Sequence, residues 1–262
     1  MNKIISILLL ISVILISGCV SEKEPVDPNN VIVKVEPIII KEFQEQSVPI
    51  IIVNNATEPI DSVSVALFNP LTVVDSERVN IPAKNDKTEM VSISVMVKAP
   101  GFMPETNIST LRLSYASGMD SKGNPVISTK SVPVQTTILP DAKLHDVGFV
   151  KNMEHLLDSK MTTWELHKGD NFTISFYVKN EGQTTIDEET LTVKYIVAND
   201  RIGGNGTFTI KQAMAKGGTS YTQGFEVPIK EDAPNGETDV YITLLKDENI
   251  LDTQTLTLKV VL

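Results

Sequence analysis

Apolar and polar residues alternate along this chain in short runs, and the repeat of two is clearest at 171–179. There Phe172, Ile174, Phe176 and Val178 share one face, while Thr173, Ser175, Tyr177 and Lys179 take the other. Val91, Ile93, Val95 and Val97 alternate in the same way with Ser92, Ser94, Met96 and Lys98, and Leu256, Leu258, Val260 and Leu262 repeat the pattern at the C-terminal end. Strands with one face to water produce this alternation, which points to antiparallel sheets with their polar faces outward. The runs are bounded by Gly, Pro, Asn and Asp, and no segment shows a helical period. Before residue 140 they fall near 31–40, 48–54, 61–68, 77–81, 88–98, 108–116 and 127–139. After it they fall near 145–151, 171–180, 189–198, 206–212, 220–229, 238–246 and 252–262.

About seven short strands in about 110 residues is the content of an immunoglobulin-like sandwich, and the chain carries it twice. The two halves read as divergent copies. Ile51-Ile52-Val53-Asn54-Asn55-Ala56-Thr57-Glu58-Pro59-Ile60-Asp61 lies over Phe176-Tyr177-Val178-Lys179-Asn180-Glu181-Gly182, with Ile186-Asp187 closing the turn after a short insertion, and Lys98-Ala99-Pro100-Gly101 lies over Asp232-Ala233-Pro234-Asn235-Gly236. A repeat of about 120 residues is a duplicated domain, since solenoid periods run from about 20 to 50. The fold class expected is all-β: two tandem immunoglobulin-like antiparallel sandwiches, of the fibronectin type III kind, at 31–140 and 141–262. Pro133 and the Lys-bearing outer faces suit edge strands that avoid joining their neighbours.

Ahead of the strands, residues 1–18 have a basic start at Lys3, an apolar stretch from Ile4 to Ile16, and small residues at Ser17 and Gly18. That is the pattern of a secretory signal peptide; its apolar core falls short of the roughly 20 residues that span a bilayer. Ile16-Ser17-Gly18-Cys19 resembles the lipobox of bacterial and archaeal lipoproteins, and Cys19 is the chain's single cysteine. The resemblance implies a diacylglyceryl group on the Cys19 sulfur, cleavage before it, and an extracytoplasmic protein held to the cell membrane by its lipid. The short leader looks like those of archaeal lipoproteins. Residues 19–30 are polar and proline-bearing, and read as a flexible tether that lifts the first domain by about 30 Å at about 3 Å per residue.

The second half resembles the CARDB family, the cell-adhesion-related domain of prokaryotic surface proteins. The residues that carry the likeness are His145-Asp146-Val147-Gly148-Phe149, Lys168-Gly169-Asp170, Val178-Lys179-Asn180-Glu181-Gly182 and Ala233-Pro234-Asn235-Gly236. It departs from the family in its last hairpin, where an acidic end is reduced to Asp247-Glu248-Asn249. The resemblance implies a surface module for contacts or spacing, with no chemistry carried over.

Composition narrows the function. With 33 acidic against 23 basic residues in 262, the formal charge is −10, which disfavours nucleic acid as a partner. One cysteine supplies neither an internal disulfide nor a Cys-rich metal centre. His145, His155 and His167 are the three histidines; no nucleophile elbow accompanies them, and with Met153 and Met161 they match no metal spacing. The acids at Asp187-Glu188-Glu189 and Asp247-Glu248 fall at turns, where solvated charge is the ordinary state. Loops at 120–124 and 232–239 have calcium-type residues without EF-hand spacing. Trp164 reads as a core or strand-edge aromatic. Sequons stand at Asn55, Asn107, Asn171 and Asn205, about as many as chance supplies, and permit glycosylation. No catalytic residue, metal or cofactor is assigned. The expected function is that of a lipid-anchored, non-catalytic surface protein for binding, adhesion or envelope structure, with an envelope protein or glycan as partner. The alternatives are a receptor-like binder of a small ligand or glycan and, further off, an extracytoplasmic hydrolase.

Overall fold

The computed structural model describes residues 23–84, 90–101 and 106–261. The leader, Cys19 and Leu262 lie outside them. Regular structure among the described residues is β apart from two three-residue 3-10 turns, Pro28–Asn30 and Met153–His155. The first nine strands are β1 (Val31–Lys34), β2 (Ile38–Lys41), β3 (Glu45–Asn54), β4 (Ile60–Asn69), β5 (Thr72–Ser76), β6 (Val79–Ile81), β7 (Met90–Lys98), β8 (Thr106–Met119) and β9 (Pro125–Leu139). The remaining eight are β10 (Ala142–Val150), β11 (Thr163–His167), β12 (Asn171–Asn180), β13 (Leu191–Val197), β14 (Asn205–Thr209), β15 (Gln223–Pro228), β16 (Gly236–Lys246) and β17 (Asn249–Val261).

Two sheet orders recur. The first half forms β1-β3-β7-β5 and β2-β9-β8-β4-β6; the second forms β10-β12-β15 and β11-β17-β16-β13-β14. Strand for strand the five-membered sheets match. In each half the first strand pairs antiparallel with the third, and the second, after a break, crosses to the sheet that holds the last. In the first half the break falls at Val35-Glu36-Pro37, where Pro37 has no N–H to continue a ladder. In the second it falls at 151–162, and β11 then runs parallel to β17, with Trp164 opposite Leu258. β11 and β5 are the strands that periodicity did not signal, each being five residues long.

Contacts divide the described residues into two compact units. One holds those of Met1–Ile38, Glu45–Lys98 and Ile108–Gln135, and the other those of Ile39–Gln44, Ala99–Asn107 and Thr136–Leu262. In the second unit two sheets share one core: Phe149, Phe172, Ile174, Phe176 and Val227 from one side, with Val193, Val240, Ile242, Leu256 and Leu258 from the other. Phe149 meets Phe172 and Trp164 edge-on, and Phe176 meets Phe208 and Phe225 in the same way. Edge-to-face contacts set the positive rim of one ring against the negative face of the next. In the first unit the buried side chains are the inward positions of the alternating runs, among them Ile50, Ile52, Ile93 and Val95 on one sheet and Phe68, Leu111, Leu113 and Tyr115 on the other.

The expectation of a solvated outer face fails at β12. Thr173 and Ser175 are 1% and 0% exposed. Residues 153–161, between β10 and β11, pass over that face as a strap. Ser175 Oγ donates to Leu156 O at 2.9 Å, Phe149 N–H donates to Met161 O at 2.8 Å, and Lys160 Nζ donates to Asp146 Oδ2 at 2.7 Å. The strap lies close because Gly224 of β15 has no side chain where the tip of Leu156 sits.

Residues 23–30 are laid against the first unit. Lys23 and Met119 exchange both backbone hydrogen bonds, at 3.1 and 2.8 Å. Val26 is 5% exposed and its N–H donates to Ser117 Oγ at 3.1 Å. Asp27 caps the 3-10 turn through the N–H of Asn29, and Lys23 pairs with Glu58. Gly118, at φ +68°, leaves the space that the backbone of 23–25 occupies, and a Cβ there would strike Lys23 O.

Candidate functional site

The three histidines sit on different elements, each beside a carboxylate of its own. His145 on β10 stacks on Tyr177 with ring centroids 5.4 Å apart and reaches Glu181 Oε1 at 3.2 Å. His155 Nδ1 is 2.8 Å from Asp158, and His167 Nδ1 is 3.7 Å from Asp170. Glu181 takes Lys143 at 2.5 Å as well as His145. The Lys143 hydrogen bond holds the Glu181 carboxyl below its usual range and raises Lys143 in turn. This is a tight surface ion-pair cluster. Among the described residues no group of three or more His, Cys, Asp or Glu side chains is placed to hold a metal ion.

The two acidic turns, far apart in sequence, line one shallow groove. Glu189, Asp247 and Glu248 share it with Thr192, Lys194 and Leu245. Its floor is the pairing of β13 with β16, where Thr192 stands opposite Leu245. All three acids have positive φ, at 61°, 46° and 69°. Lys211 bonds Glu189 at 2.6 Å and holds its carboxyl below the usual range. The sequence placed these acids in turns, correctly, but nothing in it showed that they converge.

The loop at 120–124 is a closed hairpin turn. Asp120 accepts from the N–H of Lys122 and of Asn124, both at 2.8 Å, and from Asn124 Nδ2 at 3.2 Å. These bonds, those from Asn124 above all, hold the Asp120 carboxyl below its usual range. Asp232 lies in the turn before β16 and Asp239 on that strand. Trp164 is half-buried on β11, against Phe149.

The sequons differ in setting. Asn55-Ala56-Thr57 is a turn, with Asn55 N–H on Asn30 O. Asn107 lies near the start of β8 and Asn171 opens β12, where the Thr173 of its sequon is buried. Asn205-Gly206-Thr207 lies on β14, with Asn205 and Thr207 exposed. Gly206 faces inward under Tyr195, whose ring carbon would be 2.5 Å from a Cβ there. Packing alone therefore accounts for the middle residue of that motif.

β14 is also a sheet edge. Its bonds to β13 come from alternate residues, as Ile210 N–H to Leu191 O and Val197 N–H to Gly204 O fix the phase. The N–H and C=O groups of Asn205, Thr207 and Thr209 then point outward, and no strand lies beyond them among the described residues. The other edge strands carry charge, such as Lys34, Lys41, Asp75, Asp146, Glu165 and Glu226, apart from the three-residue β6. Charged residues protect an exposed edge from pairing, and β14 has none.

One buried acid carried no signal in the sequence. Glu42, 1% exposed, accepts from the N–H of Gln183 at 2.6 Å and of Thr184 at 3.0 Å, just past the end of β12. Gly182 makes room for it, since a Cβ there would be 2.6 Å from Glu42 Oε2. In the first unit the Tyr115 hydroxyl is buried with no hydrogen-bond partner among the described residues, and burial raises its pKa.

These features define an all-β protein of largely antiparallel sheets whose distinctive surface groups are sheet edges, turns and ion pairs. No protein-family model matches the chain, and no curated protein matches it in sequence. Among solved structures, a protein of unknown function from Porphyromonas gingivalis W83 is 12% identical over 89% of this chain and 100% of its own, with a TM-score of 0.31. Red sea bream transglutaminase is 9% identical over 89% of this chain and 31% of its own, at 0.37. The C-terminal domain of BspA, an AgI/II polypeptide of Streptococcus agalactiae, is 8% identical over 87% and 99%, at 0.30. Likenesses of this size carry no argument for function.

Proposed function

We propose that this chain is a lipoprotein of the cell surface, anchored through Cys19, whose two immunoglobulin-like modules act without catalysis in binding, adhesion or envelope structure. The observation that carries the proposal is the placement of the only cysteine directly after a 13-residue apolar stretch and Ser17-Gly18. Two acyl chains at about 0.8 kcal/mol per buried methylene hold a soluble module on a membrane. The matching strand orders of the two halves support a duplicated module of this kind. Recognition is by strand addition: a partner's extended segment bonds the outward backbone groups of Asn205, Thr207 and Thr209, and the uncharged edge does not repel it.

The test is intact mass and fractionation of the protein from its own cell envelope. A diacylglyceryl increment on Cys19 and release of Cys19→Ser from the membrane are expected. An unmodified thiol, or a Cys19→Ser chain that stays bound, refutes the anchor.

A further inference from the structure

We infer that the end of the first unit carrying Lys23 and the β8–β9 turn is held at the lipid surface, facing the bilayer. This rests on the anchor at Cys19 just proposed. Were residues 19–30 free, the module would have a long leash. The leash instead ends at Lys23, which is fixed to Met119 by two backbone hydrogen bonds and to Glu58 by an ion pair, with Val26 buried three residues further on. Four residue steps separate Cys19 from Lys23, a reach of at most about 14 Å.

What lies around that fixed point is therefore close to the headgroups. Lys23, Asp61, Gly118, Met119 and Pro125 surround one small groove, next to the Asp120–Asn124 turn. That turn is closed by Asp120, so it is a stiff tip. Ile108, at the other end of the same strand and 78% exposed, is eleven residues away from Met119, about 36 Å along a strand. The charges at this end are mixed, with Lys23 and Lys122 against Glu58, Asp61 and Asp120. Attraction to anionic lipid does not hold the face; the short anchor does.

The experiment places a fluorophore at Ser121→Cys or Ile108→Cys, in protein whose Cys19 thiol is already blocked by lipid, reconstituted in phosphatidylcholine vesicles with a headgroup acceptor. Energy transfer at least twofold stronger from 121 than from 108 is expected, unchanged by added anionic lipid. Inserting twenty Gly/Ser residues between Ser21 and Glu22 should abolish the difference. Equal or reversed transfer overturns the inference, and so does a difference that survives the insertion. If Cys19 proves unlipidated, the lipoprotein reading falls by itself. The geometry is then judged on a chain with six histidines directly before Val20, bound to nickel-chelating vesicles, where the same difference is expected and its absence is fatal.

Discussion

Asn54 and Asn180 make the same bonds in their own units. Asn54 Nδ2 donates to Glu58 O at 2.7 Å and Pro82 O at 3.1 Å, while its Oδ1 accepts from Ala56 N–H at 3.0 Å. Asn180 Nδ2 donates to Thr184 O at 2.8 Å and to Met214 O at 3.1 Å, and its Oδ1 accepts from Gly182 N–H at 3.1 Å. Each closes the turn after the third strand of its half, β3 or β12, and ties it to a distant carbonyl. Both are nearly buried, at 4% and 0% exposed, so no water replaces them. Replacing either by Ala removes all of these bonds at once, at about 1–3 kcal/mol. Chemical denaturation should show that loss for both, and a variant as stable as the parent would remove the equivalence.

Glu42 is expected to hold the turn at 182–184 as a hydrogen-bond acceptor. Glu42→Ala removes the acceptor of the Gln183 and Thr184 amides, at about 1–3 kcal/mol for the two bonds. Hydrogen exchange at those two amides should accelerate well beyond that of the β12 core. Unchanged exchange there would contradict the bonds.

At the β8–β9 turn the pH dependence has a definite sign. The hydrogen bonds to Asp120 lower its pKa in the folded state below the ordinary aspartate value of 3.8. Its contribution is therefore fully present above that value and is lost as pH falls through the lowered folded pKa. Amide exchange at Lys122 and Asn124, read by NMR, should report opening of the turn only on that acid side. In Asp120→Asn the acid-linked step should vanish.

The two-residue turn between β16 and β17 is in the left-handed region at both positions, with φ of 46° at Asp247 and 69° at Glu248. Hairpins of this geometry favour Asn-Gly. The double change Asp247→Asn, Glu248→Gly should raise stability by about 1 kcal/mol by relieving strain, measured as a shift of the denaturation midpoint.

Thr207→Pro separates edge recognition from folding. The Thr207 N–H points away from β13, so proline removes no ladder bond and is tolerated on an edge. The variant should melt with the parent yet lose a partner that adds a strand to β14. Retained binding would place recognition elsewhere.

The strands that the amino-acid pattern marked are those that bury one face in a core and expose the other, because period-two alternation records only that asymmetry. The run at 171–180 is β12 to the residue, and Asn54 and Asn180 align through the local sequence around them. β11 escaped because Thr163–His167 has half-buried Trp164 and buried Leu166 in a five-residue edge strand, too brief for a period to register. Thr173 and Ser175 are polar and alternate properly, so their sequence signal is that of a wet face. They are buried by the strap of residues 153–161, whose position depends on the missing side chain of Gly224. The convergence of Glu189 with Asp247 and Glu248, the seat of Glu42, and the docking of Val26 on Ser117 share one cause. Each joins residues distant in sequence through contacts that local pattern does not encode. Sequence alone thus determined the β character and the place of the one cysteine behind an apolar stretch, both of which are local or periodic properties. Tertiary structure decided which polar faces are dry, which edge is open and where residues 23–26 are docked, because those depend on what each surface meets when the chain closes on itself.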